Sequence, residues 1–220
     1  YHFFNELVAL IRKDKFWDYK KVIIYDLPSF NESILKNIIR FYDLYGMEDL
    51  VKLVYKYFYN KFIKRRLKIL KKSLLEINIR IEKLDSVNSL EFKNILKKEP
   101  TNLISVSAPQ IFSNDILNLK NCNFYNIHCA PLPSYKGMMP NFWQRYHNEQ
   151  STSVVLHKMT PKIDQGEVLC KISYPLLKTI SLDQLMINSK LFSAHLFQEY
   201  FSNTEINSNQ YLESIYFSFP

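Results

Sequence analysis

The sequence predicts an α/β domain with a mostly parallel central sheet flanked by helices, and three observations lead there. Short β-rich runs alternate along the chain with segments whose apolar side chains recur at helical spacing. Hydrophobic residues make up 47% and charged residues 23% of the 220-residue chain, a globular composition with enough apolar mass for a packed core. Only three glycines occur, so each marks a place where backbone geometry demands one.

Taken in order, Phe3 to Arg12 carries apolar residues at helical spacing, and Lys21-Val22-Ile23-Ile24-Tyr25-Asp26 is a β-rich run that ends before Pro28. Helical patterns follow at about 31–45, stopped by Gly46, and at about 48–76, which together read as a helical insertion at about 31–76. Ile79 to Leu84 alternates apolar and charged residues as a half-buried strand does, and Ser89 can cap a helix through Lys98. Leu103 to Ser107 and Phe124 to His128 are two further strands, separated by a helical piece after Pro109. Thr152 to Met159 and Val168 to Tyr174 are strands joined by a short link, which predicts an antiparallel or mixed edge. The last helix starts at Ser181, with Gln184 completing a capping box, and runs to about Phe201. One domain over 1–220 is expected. Because the sequence opens on Tyr1 and stops just after the aromatic run at 215–219, a fragment at both ends is expected too.

Several functional classes fall away on composition. No stretch has the roughly 18 to 20 consecutive apolar residues of a membrane-spanning helix, and no signal peptide is evident, so the expected location is the cytoplasm. Cys122, Cys129 and Cys170 are odd in number and lack CxxC spacing, which reads as reduced thiols, and no His-Cys-Asp cluster has metal-ligand spacing, so no metal is expected. The net charge of +8 permits attraction to phosphates of a nucleic acid, a nucleotide or an anionic membrane surface and selects none of them. Lys52, Lys56, Lys61, Lys64, Arg65, Arg66, Lys68, Lys71 and Lys72 lie along the 48–76 helix. They read first as a solvated face, with tRNA backbone or an anionic surface as alternatives.

Candidate chemistry collects after the Phe124 to His128 strand. Ligands of open α/β sheets bind beyond the carboxyl ends of strands, and Asn126 and His128, two residues apart, project to one face near such an end. Pro131, Pro133 and Pro140 stiffen the loop that follows, and Gly137 and Gly166 lie near the same place. Asp164 sits in the polar turn Thr160 to Gly166, from which a carboxylate can fold back to the sheet. The three side chains suit acyl transfer without a covalent nucleophile. Asn126 donates to a developing oxyanion, a protonated His128 donates or delivers a proton, and Asp164 steadies the imidazolium. Spacing alone is a weak signal, since an Asn-X-His pair is more often structural. His157 reads as a satisfied strand residue, His2, His147 and His195 as helical and exposed, and Cys129 as a buried thiol.

The run Asn126-Ile127-His128-Cys129-Ala130-Pro131-Leu132-Pro133-Ser134-Tyr135-Lys136-Gly137 resembles the Asn-X-His-X-Ser-Leu-Leu-Pro-X-X-X-Gly signature of the folate-dependent formyltransferases. That family includes methionyl-tRNA, glycinamide ribonucleotide and nucleotide-sugar enzymes. Val155 to Met159 followed by Lys162-Ile163-Asp164-Gln165-Gly166 resembles the family's strand and Asp-X-Gly loop. The resemblance implies a Rossmann-like formyltransferase domain whose first strand would precede Tyr1. It implies 10-formyltetrahydrofolate as donor, a primary amine as acceptor, a tetrahedral intermediate, and Asn126, His128 and Asp164 as the catalytic set. Ser107, Pro109, Gln110, Ile111, Lys158, Met159 and Ile163 fall where the family contacts folate. Pro133, Gly137 and Gly166 fall where it fixes loop shape. Ala130-Pro131 replaces the usual Ser-Leu, and Lys162 stands where many members have glycine.

Met138-Met139-Pro140-Asn141-Phe142-Trp143 is closer to the Pro-X-Phe-Trp of the sugar enzymes than to the Ala-Ala-Pro-Ile of the tRNA enzymes. The implied acceptor is therefore a small, phosphate-bearing amino-sugar nucleotide near Lys136, Met138, Pro140 and Trp143. Methionyl-tRNA, glycinamide ribonucleotide, water as the acceptor of a deformylase, and a non-catalytic binding module are the alternatives. The sequence does not set the oligomeric state.

Overall fold

A computed structural model describes residues 2–13, 23–26, 47, 68–77, 79–108 and 110–202. Most of the expected 31–76 insertion, including Gly46 and the basic residues of 48–67, lies outside the described residues, as do Pro109 and the 215–219 run. Among the described residues no helix is long and apolar enough to cross a membrane. They fall into two compact units, one within 21–85 and one built from 2–20 and 86–220.

In the first unit, β1 (Ile23–Asp26) pairs in parallel with β2 (Arg80–Lys83), Ile24 lying opposite Ile81. Residues 68–76 are helical and bury Leu70 and Leu74, four apart on one face. That helix ends where the amides of Ile77 and Ile79 both donate to the Leu74 carbonyl, at 3.2 and 2.9 Å.

The second unit carries α1 (His2–Ile11), α2 (Leu90–Lys98), β3 (Thr101–Val106), α3 (Asn114–Leu117), β4 (Cys122–His128), α4 (Pro140–Tyr146), β5 (Ser151–Lys158), β6 (Val168–Pro175) and α5 (Leu182–Ser202). Its sheet runs β3-β4-β5-β6. The β3 and β4 strands are parallel, whereas β4 with β5 and β5 with β6 are antiparallel, so the mixed edge begins at β5. Such a mixture follows from the links: the segment between β3 and β4 includes α3 and crosses over, and the short segment between β5 and β6 does not.

Local chemistry accounts for the helix ends. The Ser89 hydroxyl accepts from the Phe92 amide at 3.1 Å, with Glu91 in the first turn of α2 and Lys97 and Lys98 in its last, each sign opposing the helix dipole. The Ser181 hydroxyl accepts from the Gln184 amide at 3.1 Å where α5 begins. Residues 152–157 of β5 are all buried, as in a strand covered on both faces. On one side α5 brings the small residues Ser189, Ser193 and Ala194 into the interior, and Tyr174 of β6 stacks on Phe192 at 4.3 Å between ring centres. Phe3 of α1 meets Phe197 of α5 edge to face at 6.2 Å. This packing covers β5, which with β4 carries the polar cluster described next.

Candidate active site

At the carboxyl end of β4 the chain leaves His128 and turns back over it. The Tyr135 amide donates to the Pro131 carbonyl at 2.9 Å, across a cis Leu132-Pro133 peptide. This turn aims the Tyr135 carbonyl at the His128 ring, whose Nε2 lies 2.5 Å away. A carbonyl only accepts, so Nε2 carries the proton and Nδ1 of the neutral ring holds a lone pair. Farther along, Gly137 adopts φ 88°, and its amide donates to Oδ2 of Asp164 at 2.8 Å. Asp164 is itself left-handed at φ 51°. The loop after β5 thus meets the loop after β4 through one carboxylate.

Gly166 fixes the far side of that loop. A Cβ there would lie 1.6 Å from the Lys158 carbonyl oxygen, so the backbone passes where no side chain fits. The Lys158 amide donates to the Glu167 carbonyl at 2.9 Å, closing the turn.

Asp164 is the centre of the cluster. Its Oδ2 faces His128 Nδ1 at 3.5 Å, and its Oδ1 lies 3.5 Å from both His157 Nε2 and Asn126 Nδ2. These separations exceed the 2.7 to 3.2 Å of a well-formed hydrogen bond, so the Gly137 amide holds the carboxylate more closely than any of the three side chains does. The cluster is nearly closed to solvent, with side-chain exposure of 8% for His128, 8% for Asp164 and 2% for His157.

Burial pushes the His128 imidazole below its ordinary pKa. The Asp164 charge and the Tyr135 carbonyl oppose that shift and do not overcome it. With its pKa lowered, the resting ring is neutral near pH 7, because desolvation outweighs the nearby carboxylate. For Asp164 the balance goes the other way. Burial alone would raise it, but the neighbouring His157 and His128 rings and the Gly137 amide together hold it below the usual carboxylate range. A carboxylate beside a neutral, buried imidazole can take up one proton and share it, which is what an attacking amine must lose.

This arrangement predicts a pH dependence of stability. The unfolded chain binds a proton at His128 near pH 6.5, and the fold resists it. Between the lowered folded value and about 6.5 the unfolded state holds more protons, so stability rises with pH through that window and falls on acidification. Asp164 acts in a lower window, contributing stability above about pH 3.9 that is lost as pH drops through its depressed folded value. Thermal melts at pH 5.5 and 7.5 should show a lower Tm at the acidic value, with a smaller difference in His128→Gln. An equal difference in that variant would refute a neutral, buried His128.

The other expected site residues are placed as follows. Ser107 follows β3 at φ 58°, and its hydroxyl accepts from the Lys190 ammonium. Gln110 accepts from the Val87 amide at 2.9 Å, and the side chain of Ile111 is 68% exposed. The Lys158 carbonyl accepts from His157, and the Met159 amide donates to the Phe124 carbonyl at 2.8 Å. Ile163 and Met138 are 55% and 57% exposed, next in sequence to the joined Asp164 and Gly137. Lys136 is half-buried on the turn before Gly137. Pro140 is the first residue of α4, and Trp143 stacks on His147 within a ring cluster that includes Phe142 and Tyr146. Cys129, expected to be buried, is half-buried past the end of β4, with its sulfur 3.5 Å from Lys190 Nζ. Among the described residues no group of three or more His, Cys, Asp or Glu side chains could hold a metal ion. His157 is the member of the cluster that its sequence pattern gave no reason to include. Its one signal is a histidine inside a run of small and apolar strand residues, where a buried ring needs partners.

A family model described as formyl transferase matches residues 81–198, more than half of the chain, and that span contains Asn126, His128, His157 and Asp164. The chain belongs to the formyl transferase family. Over 104 residues it is 35% identical to the bifunctional polymyxin resistance protein ArnA of Wigglesworthia glossinidia brevipalpis, a match covering 47% of this chain and 16% of that protein. Over 99 residues it is 26% identical to methionyl-tRNA formyltransferase of Chlorobium limicola, covering 45% of this chain and 31% of that one. The chain therefore spans less than a third of the curated relatives it matches. The formyl transferase fold is also that of the formyltransferase PseJ from Anoxybacillus kamchatkensis, solved with UDP-4,6-dideoxy-4-formamido-L-AltNAc and tetrahydrofolate. That likeness has a TM-score of 0.51 at 19% identity and covers 68% of this chain and 80% of that one.

Proposed function

We propose that this chain moves a formyl group from 10-formyltetrahydrofolate to a primary amine, and that the amine belongs to a nucleotide-linked sugar. The observation that carries the reading is the convergence of an amide, a neutral imidazole and an ionised carboxylate at the end of β4 in a formyl transferase domain. The amine nitrogen bonds to the formyl carbon and the formyl oxygen gains charge, which an Asn126 N–H meets. The proton lost by that nitrogen passes to the Asp164 and His128 pair. When the tetrahedral intermediate collapses, the bond to the folate nitrogen breaks, and that nitrogen is protonated as it leaves.

The exposed apolar side chains of Ile111 and Ile163 suit a heteroaromatic donor, which would cover them. For the acceptor, support comes from the Pro140-Asn141-Phe142-Trp143 run and from the sugar nucleotide named with PseJ. The match to a methionyl-tRNA formyltransferase and the charge of +8 favour tRNA as a second acceptor class.

The test offers 10-formyltetrahydrofolate with nucleotide-linked amino sugars, methionyl-tRNA, glycinamide ribonucleotide or no amine, and follows tetrahydrofolate release and formylated product. Transfer to an amino sugar is expected, reduced about 10²-fold or more by Asn126→Ala, as for loss of an oxyanion donor. Transfer to methionyl-tRNA alone would replace the acceptor, and formate release without amine would mean a deformylase. Folate binding with no turnover on any arm would leave a binding module and end the proposal.

A further inference from the structure

We infer that His157 is the positioning residue that orients the Asn126 carboxamide, an inference that rests on the role proposed above for Asn126. His157 is 2% exposed and lies directly opposite Asn126 in the antiparallel β4 and β5 pair. Its Nδ1 sits 2.8 Å from the Lys158 carbonyl, which can only accept, so Nδ1 carries the ring proton. In the neutral ring, Nε2 is left as a lone pair. That lone pair lies 3.1 Å from Asn126 Nδ2 and takes one of its two N–H bonds.

The consequence is a choice between two amide orientations. With Nδ2 toward His157, the second N–H points into the cluster, where its neighbour is Asp164 Oδ1 at 3.5 Å, too long to hold it firmly. That N–H is the one available to a developing oxyanion. Turned over, the carboxamide would set its oxygen against the Nε2 lone pair and present a carbonyl to the reacting oxygen, repelling charge where attraction is needed. His157 disfavours the second orientation. A free Asn126 would sample both.

The support behind His157 is itself rigid. The Lys158 carbonyl that fixes its tautomer is the one Gly166 passes too closely to admit a Cβ. The register of β5 against β6 shifts between Leu156 and His157, an irregularity of the kind that re-aims a strand side chain. Four chain positions, Gly166, Lys158, His157 and Asn126, thus form one line of contacts ending at the reacting group.

The experiment is a double-mutant cycle read in kcat and KM. His157→Leu should lower kcat by about 10-fold or more, the scale on which mispositioned groups act, with KM for both substrates within about twofold. Added to Asn126→Ala it should cost nothing further, because its effect passes through Asn126. His157→Gln can donate to Lys158 and accept from Asn126, and it should recover part of the loss. If the leucine variant does not fold, His157→Met takes its place, and melting curves establish which variants fold. An equal penalty in both backgrounds, or wild-type kcat in His157→Leu beside an impaired Asn126→Ala, overturns this inference alone. Wild-type transfer by Asn126→Ala would instead remove the role assigned to Asn126, and this proposal with it.

Discussion

Asp164→Asn is expected to lower formyl transfer by about 10²-fold or more while leaving the protein folded, by analogy with the loss of a charged partner or oxyanion donor at other acyl-transfer sites. The substitution keeps the shape of the side chain. Its amide oxygen can still accept from Gly137, which the carboxylate does at 2.8 Å, so the two loops stay joined. What disappears is the negative charge 3.5 Å from His128 Nδ1. Without it, a ring already held neutral by burial has no reason to take the proton shed by the amine. The measurement is kcat together with donor affinity and a thermal melt. Turnover near wild type would remove Asp164 from the chemistry. A collapsed melting curve would make its role structural.

The second large effect is on folding. Gly166→Ala places a methyl group 1.6 Å from the Lys158 carbonyl oxygen, far inside any contact distance, and the obstacle is backbone rather than a side chain that can swing away. Either the loop after β5 is displaced or the end of β5 gives way. Overpacking of this kind costs on the order of 3 kcal/mol, which in a chain of this size lowers Tm by about 6 to 12 °C. Even a variant that folds should lose activity, because the displaced carbonyl is the one that accepts from His157 Nδ1. Calorimetry and the transfer assay on the same sample test both parts. A melt within a degree or two of wild type would show that the loop has room the geometry denies.

Much of the fold was legible because its signals are local. Ser89 and Ser181 announce their helices through side chains that reach amides three residues on, and a capping residue needs no tertiary partner to be recognised. The short link between the later strands gave the antiparallel pairing for a similar reason: too few residues are available to cross the sheet. The site was legible in part. Asn126 and His128 share a face because strand side chains alternate, and the structure brings both to Asp164.

What the sequence withheld depends on neighbours distant along the chain. His157 could be seen as a strand residue, but its partner is set by the register of β4 on β5, and nothing in either strand alone states that Asn126 lies opposite it. The resting proton state of His128 turns on how completely the ring is buried, which no local pattern states. That the Lys158 carbonyl and the Met159 amide are engaged within the fold likewise depends on His157 and on the neighbouring β4 strand.

The bond between the Gly137 amide and Asp164 has one more consequence. A single carboxylate both ties together the loops after β4 and β5 and holds the charge that the proposed reaction requires. Shape and acidity are therefore one variable here. Any change that retunes the carboxylate, whether an acid medium or a neighbouring charge acquired in evolution, also loosens the join between the two loops, so under the proposed reaction the catalytic pH range and the shape of the site would shift together.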